Sequence, residues 1–220
     1  MNGRISDYVG SSCEVKTMEN DLLLVGKIRA VLEDNGIALE IVSSDDEAMP
    51  AAAYGIPVKI NIFSSKNGFL SLGGRVYITH ESFWRINEIG ALGENERRGY
   101  FRIKIRTQAE VMGPDKSRRI RKFKCLVTSV SLSGILIAVD DEECYFREGT
   151  QVTVNGLHVF DGGETFQVKC TVHRIDKNRS LGTLYGCCFD DMTIREANRL
   201  CREIFKQQRA DIQRRRGCGS

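Results

Sequence analysis

The segment Arg97-Arg98-Gly99-Tyr100-Phe101-Arg102 carries three guanidinium groups just ahead of an alternating strand pattern. A second segment, Ser129-Val130-Ser131-Leu132-Ser133-Gly134, sets hydroxyls at every second position and then a glycine at the end of another strand pattern. A guanidinium is a planar fork of donors that grips phosphate or the O6/N7 edge of guanine, and its flat face stacks on a base. Residues two apart on a strand share a face, so Ser129, Ser131 and Ser133 point together. A glycine beside them lets a ligand approach the backbone. Taken together, the two segments describe an anionic, purine-bearing ligand held between an arm and the face of a β-barrel. Taken alone, the serines read as a polar, solvent-facing edge, and the arginines upstream shift that balance.

The elements around these groups read as two barrels. In the first half, strand patterns run over 21–32, 36–43, 56–63, 69–79 and 83–89, and Asn35-Gly36 between the first two is a hairpin signal. Gly73-Gly74 inside a strand pattern predicts a bulge or sharp bend. Short strands at this spacing form a small barrel or sandwich. Residues 90–95, with two glycines and Asn95, read as a linker that runs straight into the arginines. The second half has strand patterns over 101–112, 121–130, 134–139, 150–154, 165–175 and 184–189. It closes with a helix opened by a capping box between Thr193 and Glu196, with Ile194, Ala197, Cys201, Ile204, Phe205 and Ile212 on one face. The expected fold is all-β, two small β-barrel domains with a C-terminal α-helix, divided as 1–92 and 93–220. At 220 residues each half is large enough to bury its own core.

The region from Glu96 to Arg216 resembles a PilZ domain, the bacterial receptor module for cyclic di-GMP. That family carries Arg-x-x-x-Arg followed by Asp/Asn-x-Ser-x-x-Gly. Arg98 and Arg102 match the first motif in full, and Ser131 and Gly134 match the second. Ser129 stands where the family has Asp or Asn, and Gly186 stands where it has a glycine before its last strand residues. The strand layout of the first half resembles the N-terminal domain of the flagellar-brake proteins. The resemblance implies that Arg98 and Arg102 contact phosphate and guanine, with Arg97 adding a further guanidinium. It also implies that Ser129 and Ser131 bond guanine and that Gly134 permits close backbone approach. Cyclic di-GMP is thus the implied ligand, with no cofactor or metal.

Composition excludes several other classes. The net charge of +3 is too small for binding nucleic acid by bulk charge, the basic residues being concentrated over 97–124 and 206–216. An RNA-binding barrel would also need clustered surface aromatics to stack unpaired bases. The eight cysteines show no Cys-x-x-Cys spacing, and His80, His158 and His173 stand apart from any cysteine pair, so no zinc site is expected. The acidic run 140–143 lacks cation-loop spacing and reads as a solvated loop. His80, Glu81 and Ser82 are sequence neighbours without the layout of a triad, and no enzyme is expected. With no secretion signal and no apolar run near the roughly 20 residues that span a bilayer, a cytoplasmic location is expected. The expected function is a cyclic di-GMP receptor that changes its interdomain arrangement on binding. It would regulate the flagellar motor or exopolysaccharide output through a protein partner. The alternatives are a ligand-independent PilZ adaptor and, further off, a small RNA-binding barrel.

Overall fold

Alternating apolar and polar residues bury one face of each strand, and closure into a barrel leaves no free sheet edge. The computed structural model describes residues 4–44, 54–64, 66–92 and 100–217, with side chains to Arg214. It divides into two compact units, Met1–Phe101 and Arg102–Ser220.

In the first unit, a 3-10 turn (Ile5–Tyr8) leads into six antiparallel strands: β1 (Ser12–Lys16), β2 (Leu22–Leu32), β3 (Gly36–Ser44), β4 (Pro57–Ser64), β5 (Gly68–Thr79) and β6 (Phe83–Ala91). They close in the order β1-β2-β3-β6-β5-β4, with β1 pairing both β2 and β4. Cys13, Val15, Leu24, Ile28, Ile60, Ile62, Trp84 and Ile86 are buried in its core. The sequence reading had five strands here. It missed β1, a five-residue strand in which Glu14 and Lys16 alternate with the core residues Cys13 and Val15. The expected hairpin at Asn35-Gly36 forms with Asn35 in the left-handed region (φ 56) and Gly36 as the first residue of β3. The bend expected at Gly73-Gly74 is present as a register shift between Gly73 and Arg75 against β6. Strand β6 runs on to Ala91, into the stretch read as linker, and residues 93–95 of that stretch lie outside the described residues.

The second unit holds β7 (Arg102–Pro114), β8 (Ile120–Ser131), β9 (Gly134–Val139), β10 (Gln151–His158), β11 (Thr165–Asn178), β12 (Gly182–Phe189) and α1 (Ile194–Gly217). Its barrel closes in the order β10-β11-β12-β9-β8-β7. Val111, Val127, Ile137, Val154, Leu157, Cys170 and Val172 are buried in it. The capping box forms as read, with Thr193 N–H donating to Glu196 Oε2 at 2.9 Å and Glu196 N–H to Thr193 Oγ1 at 3.2 Å. The Thr193 hydroxyl also donates to Glu196 Oε2 at 2.6 Å, and that bond, with the one from Thr193 N–H, lowers the pKa of Glu196. Leu200, Cys201, Ile204 and Phe205 are buried, whereas Ile194 is exposed, because the first residue of the helix precedes the turn that meets the barrel. Buried Glu203 accepts from Glu164 N–H (3.3 Å) and Lys206 Nζ (2.7 Å), tying the helix to the β10–β11 loop.

Candidate ligand-binding site

The sites's frame is five neighbouring strands in the order β11-β12-β9-β8-β7. Arg102, exposed at the head of β7, stands directly opposite Ser131 in the β7–β8 ladder. Residues paired this way present their side chains on one face. Ser129 lies two residues back on β8, just past a register shift against β9 that follows Val127. Thr128, left out of that register, donates its hydroxyl to the Leu136 carbonyl at 3.1 Å. The irregularity sits beside the site, where bulges commonly re-aim side chains.

Ser131 is buried, and its hydroxyl is committed to the β8–β9 turn. It donates to the Gly134 carbonyl (3.2 Å), accepts from Ser133 N–H (3.3 Å) and lies 3.2 Å from Ser133 Oγ. Ser133 has left the strand and sits in the turn itself, yet it lines the same pocket as Ser129 and Ser131. Gly134 opens β9 opposite Cys188. A Cβ there would stand 2.1 Å from the Cys187 carbonyl oxygen. The absence of a side chain at 134 therefore lets strand β9 lie against β12.

Over these residues lies a pocket of about 140 Å³, with Arg102, Ser129 and Ser131 on one side and His173, Arg174 and Cys188 on the other. Gly134 and Gly186 also line it. Pockets that bury a whole drug-sized ligand run to about 300–1,000 Å³. This one is smaller, so part of a larger ligand would lie outside it. Two guanidiniums line it. Arg174 pairs with Asp176 at 2.7 Å, while no described carboxylate pairs with Arg102. Gly186 stands opposite Arg174, and a Cβ at 186 would reach Arg174 Cβ at an ordinary 3.4 Å. The thiols beside the site differ sharply. Burial pushes Cys187 up to about 12, whereas Cys188 is exposed.

Of the six residues read as the site, the structure brings Arg102, Ser129, Ser131 and Gly134 around one pocket. Arg97 and Arg98 lie outside the described residues. The sequence reading missed His173, Arg174 and Cys188 as lining residues. His173 falls at a register shift between Val172 and Arg174 on β11. A signal was present, since the buried series 166, 168, 170, 172 breaks step there and the next apolar residue is Ile175. Among the described residues no cluster of His, Cys, Asp or Glu could hold a metal ion, and no helix is long and apolar enough to cross a membrane.

Several solved structures align with most of the chain. The inhibitor of motility MotI/DgrA of Bacillus subtilis is 14% identical, with 91% of this chain and 97% of that chain covered and a TM-score of 0.42. YcgR of Escherichia coli, solved in complex with c-di-GMP, is 14% identical over 95% of this chain and 88% of that one, with a TM-score of 0.44. MrkH of K. pneumonia, also in a c-di-GMP complex, is 9% identical over 94% and 90%, with a TM-score of 0.41. No curated protein matches the chain. The PilZ domain model matches residues 96–206, half of the chain, over the arginine motif, the serine–glycine turn, the barrel and most of its helix, and the chain belongs to the PilZ domain family.

Proposed function

We propose that this chain is a cyclic di-GMP receptor that acts by binding and not by catalysis. The observation that carries this reading is Arg102 opposite Ser131 at that pocket, four residues after Arg98 in the family's arginine motif. Arg98 and Arg102 grip phosphate and guanine, Arg97 adds charge, and Ser129 bonds the guanine edge. Ser131 and Gly134 hold the turn and strand that shape the pocket. Residues 93–220 are the PilZ domain with its arginine arm, and residues 1–92 a flagellar-brake-like barrel. Ligand gripped by the arm changes how the two barrels face one another. That change is passed to a protein partner in the cytoplasm, at the flagellar motor or the polysaccharide machinery.

Titration calorimetry with cyclic di-GMP tests the reading, since it reports affinity and stoichiometry together. Heat of binding that saturates is the expected result, and none at high protein concentration overturns it. Small-angle scattering with and without saturating nucleotide tests the rearrangement. Ser129 supports a second reading, a ligand-independent adaptor, because a neutral hydroxyl replaces the family's carboxylate or amide. The same titration separates the two.

A further inference from the structure

Strand β1 breaks the barrel rule that outward residues face water. Cys13 and Val15 fill the core, yet Glu14 and Lys16, on the opposite parity, are 1% and 4% exposed. The last two residues of the same unit pack beside them. Phe101 N–H donates to Glu14 Oε2 at 2.8 Å. Lys16 Nζ lies 3.0 Å from that same oxygen and 5.9 Å from the centroid of the Phe101 ring. On the neighbouring strand β4, Phe63 stacks on Tyr100 with centroids 3.8 Å apart and planes 6° from parallel.

This arrangement is an expensive way to close a barrel. Burial raises the Glu14 carboxyl above its ordinary range, against the pull of Lys16 and of Phe101 N–H. Its other oxygen, Oε1, is buried with no hydrogen-bond partner among the described residues. Apolar residues of similar volume would serve cohesion as well or better. What the buried pair and the stacked ring do accomplish is to hold residues 100 and 101. These sit between Arg98 and Arg102 in the chain.

We propose that Glu14, Lys16 and Phe63 form a clamp that fixes Tyr100 and Phe101 and so restrains the chain entering Arg102 for the ligand. The inference rests on the reading of Arg98 and Arg102 as the ligand grip. A segment ordered before the ligand arrives has less freedom left to lose on binding. Releasing the clamp lowers the fraction of chains in the competent arrangement, and apparent affinity falls with that fraction. None of the three clamp residues lines the pocket.

The test is calorimetric titration of the full chain with cyclic di-GMP, together with hydrogen exchange at the Phe101 amide in the free protein. Phe63→Ala removes the stack alone and is expected to weaken binding by about fivefold. Phe63→Tyr keeps the ring and restores wild-type affinity, which a general loss of barrel stability does not explain. Glu14→Ala removes the acceptor and speeds exchange at Phe101. Wild-type affinity in Phe63→Ala and Glu14→Ala, with Arg102→Ala weakened, overturns the clamp and leaves the receptor reading standing. Wild-type affinity in Arg102→Ala overturns the receptor reading instead. Unchanged exchange at Phe101 in Phe63→Ala and Glu14→Ala overturns the clamp whatever the ligand does.

Discussion

Arg102 and Ser131 face each other across the β7–β8 ladder, one exposed at the rim of the pocket and the other buried beneath it. On the receptor reading proposed above, Arg102 serves the ligand and Ser131 the fold. Arg102→Ala should weaken cyclic di-GMP binding by about 5- to 150-fold, the equivalent of roughly 1–3 kcal/mol for a bidentate arginine–guanine contact. Its melting temperature should stay close to wild type. Ser131→Ala should instead lose stability, about 1–3 kcal/mol for turn groups left unpaired. Calorimetric titration and thermal melting of the two variants measure both effects, and equal melting loss in both would contradict this division.

Ser129 lines the same pocket with a neutral hydroxyl. On the receptor reading proposed above, a carboxylate there would accept from the guanine N1–H and N2–H₂ edge. Charge-assisted bonds contribute about 1.5–3 kcal/mol against about 1 for neutral ones. Ser129→Asp should therefore tighten cyclic di-GMP binding by roughly fivefold. Unchanged or weaker affinity in a folded variant would remove Ser129 from the guanine contact and favour the adaptor reading.

The two glycines of the pocket should respond differently to one methyl group. Gly134→Ala drives a Cβ to 2.1 Å from the Cys187 carbonyl, so backbone has to move. A loss of about 1–3 kcal/mol in urea unfolding is expected, the usual cost of overpacking. Gly186→Ala meets only ordinary contact at 3.4 Å and should spare stability while narrowing the pocket. Its signature is weaker ligand binding at unchanged unfolding midpoint.

Cys188 is the exposed member of the seven described cysteines, and it lines the pocket. Thiolates react, not thiols, and burial keeps Cys13, Cys125 and Cys187 near 12. Alkylation of the native protein, read by peptide mass spectrometry, should label Cys188 ahead of the buried six. Saturating cyclic di-GMP should slow that labelling. Labelling at Cys188 that ignores the ligand would place the nucleotide elsewhere.

The same buried thiols set an alkaline limit. Their ordinary value is 9.0, and burial raises Cys13, Cys125 and Cys187 to about 12 and Cys144 to about 11. Above pH 9 the unfolded chain releases protons that the folded chain retains. The stability these thiols confer is thus complete below pH 9 and lost as pH rises from 9 towards 12. Urea midpoints should fall over that window, and Cys13→Ala should make the fall shallower by about 1.4 kcal/mol per pH unit. Identical slopes in the two proteins would sink the assignment.

Much of this was legible in the chain itself because it depends on neighbours in sequence. Strand alternation follows from period-two burial, the Thr193–Glu196 box from a three-residue reach, and the arginine and serine motifs from their joint resemblance to the PilZ pattern. Two barrels, a closing helix and four of the residues that line the pocket were legible in this way. Tertiary structure decided what depends on partners distant in sequence. The pairing of β1 with β2 and β4 buries Glu14 and Lys16, which no local pattern marks as interior. The register shift at His173 turns β11 so that His173 and Arg174 line the pocket, and registers are set by the strand across, here β12. Ser131 and Gly134 were visible as a motif, but their roles were not. A buried hydroxyl bonds whatever the turn brings to it, and a missing side chain matters only for what would occupy its space, which here is the carbonyl of Cys187.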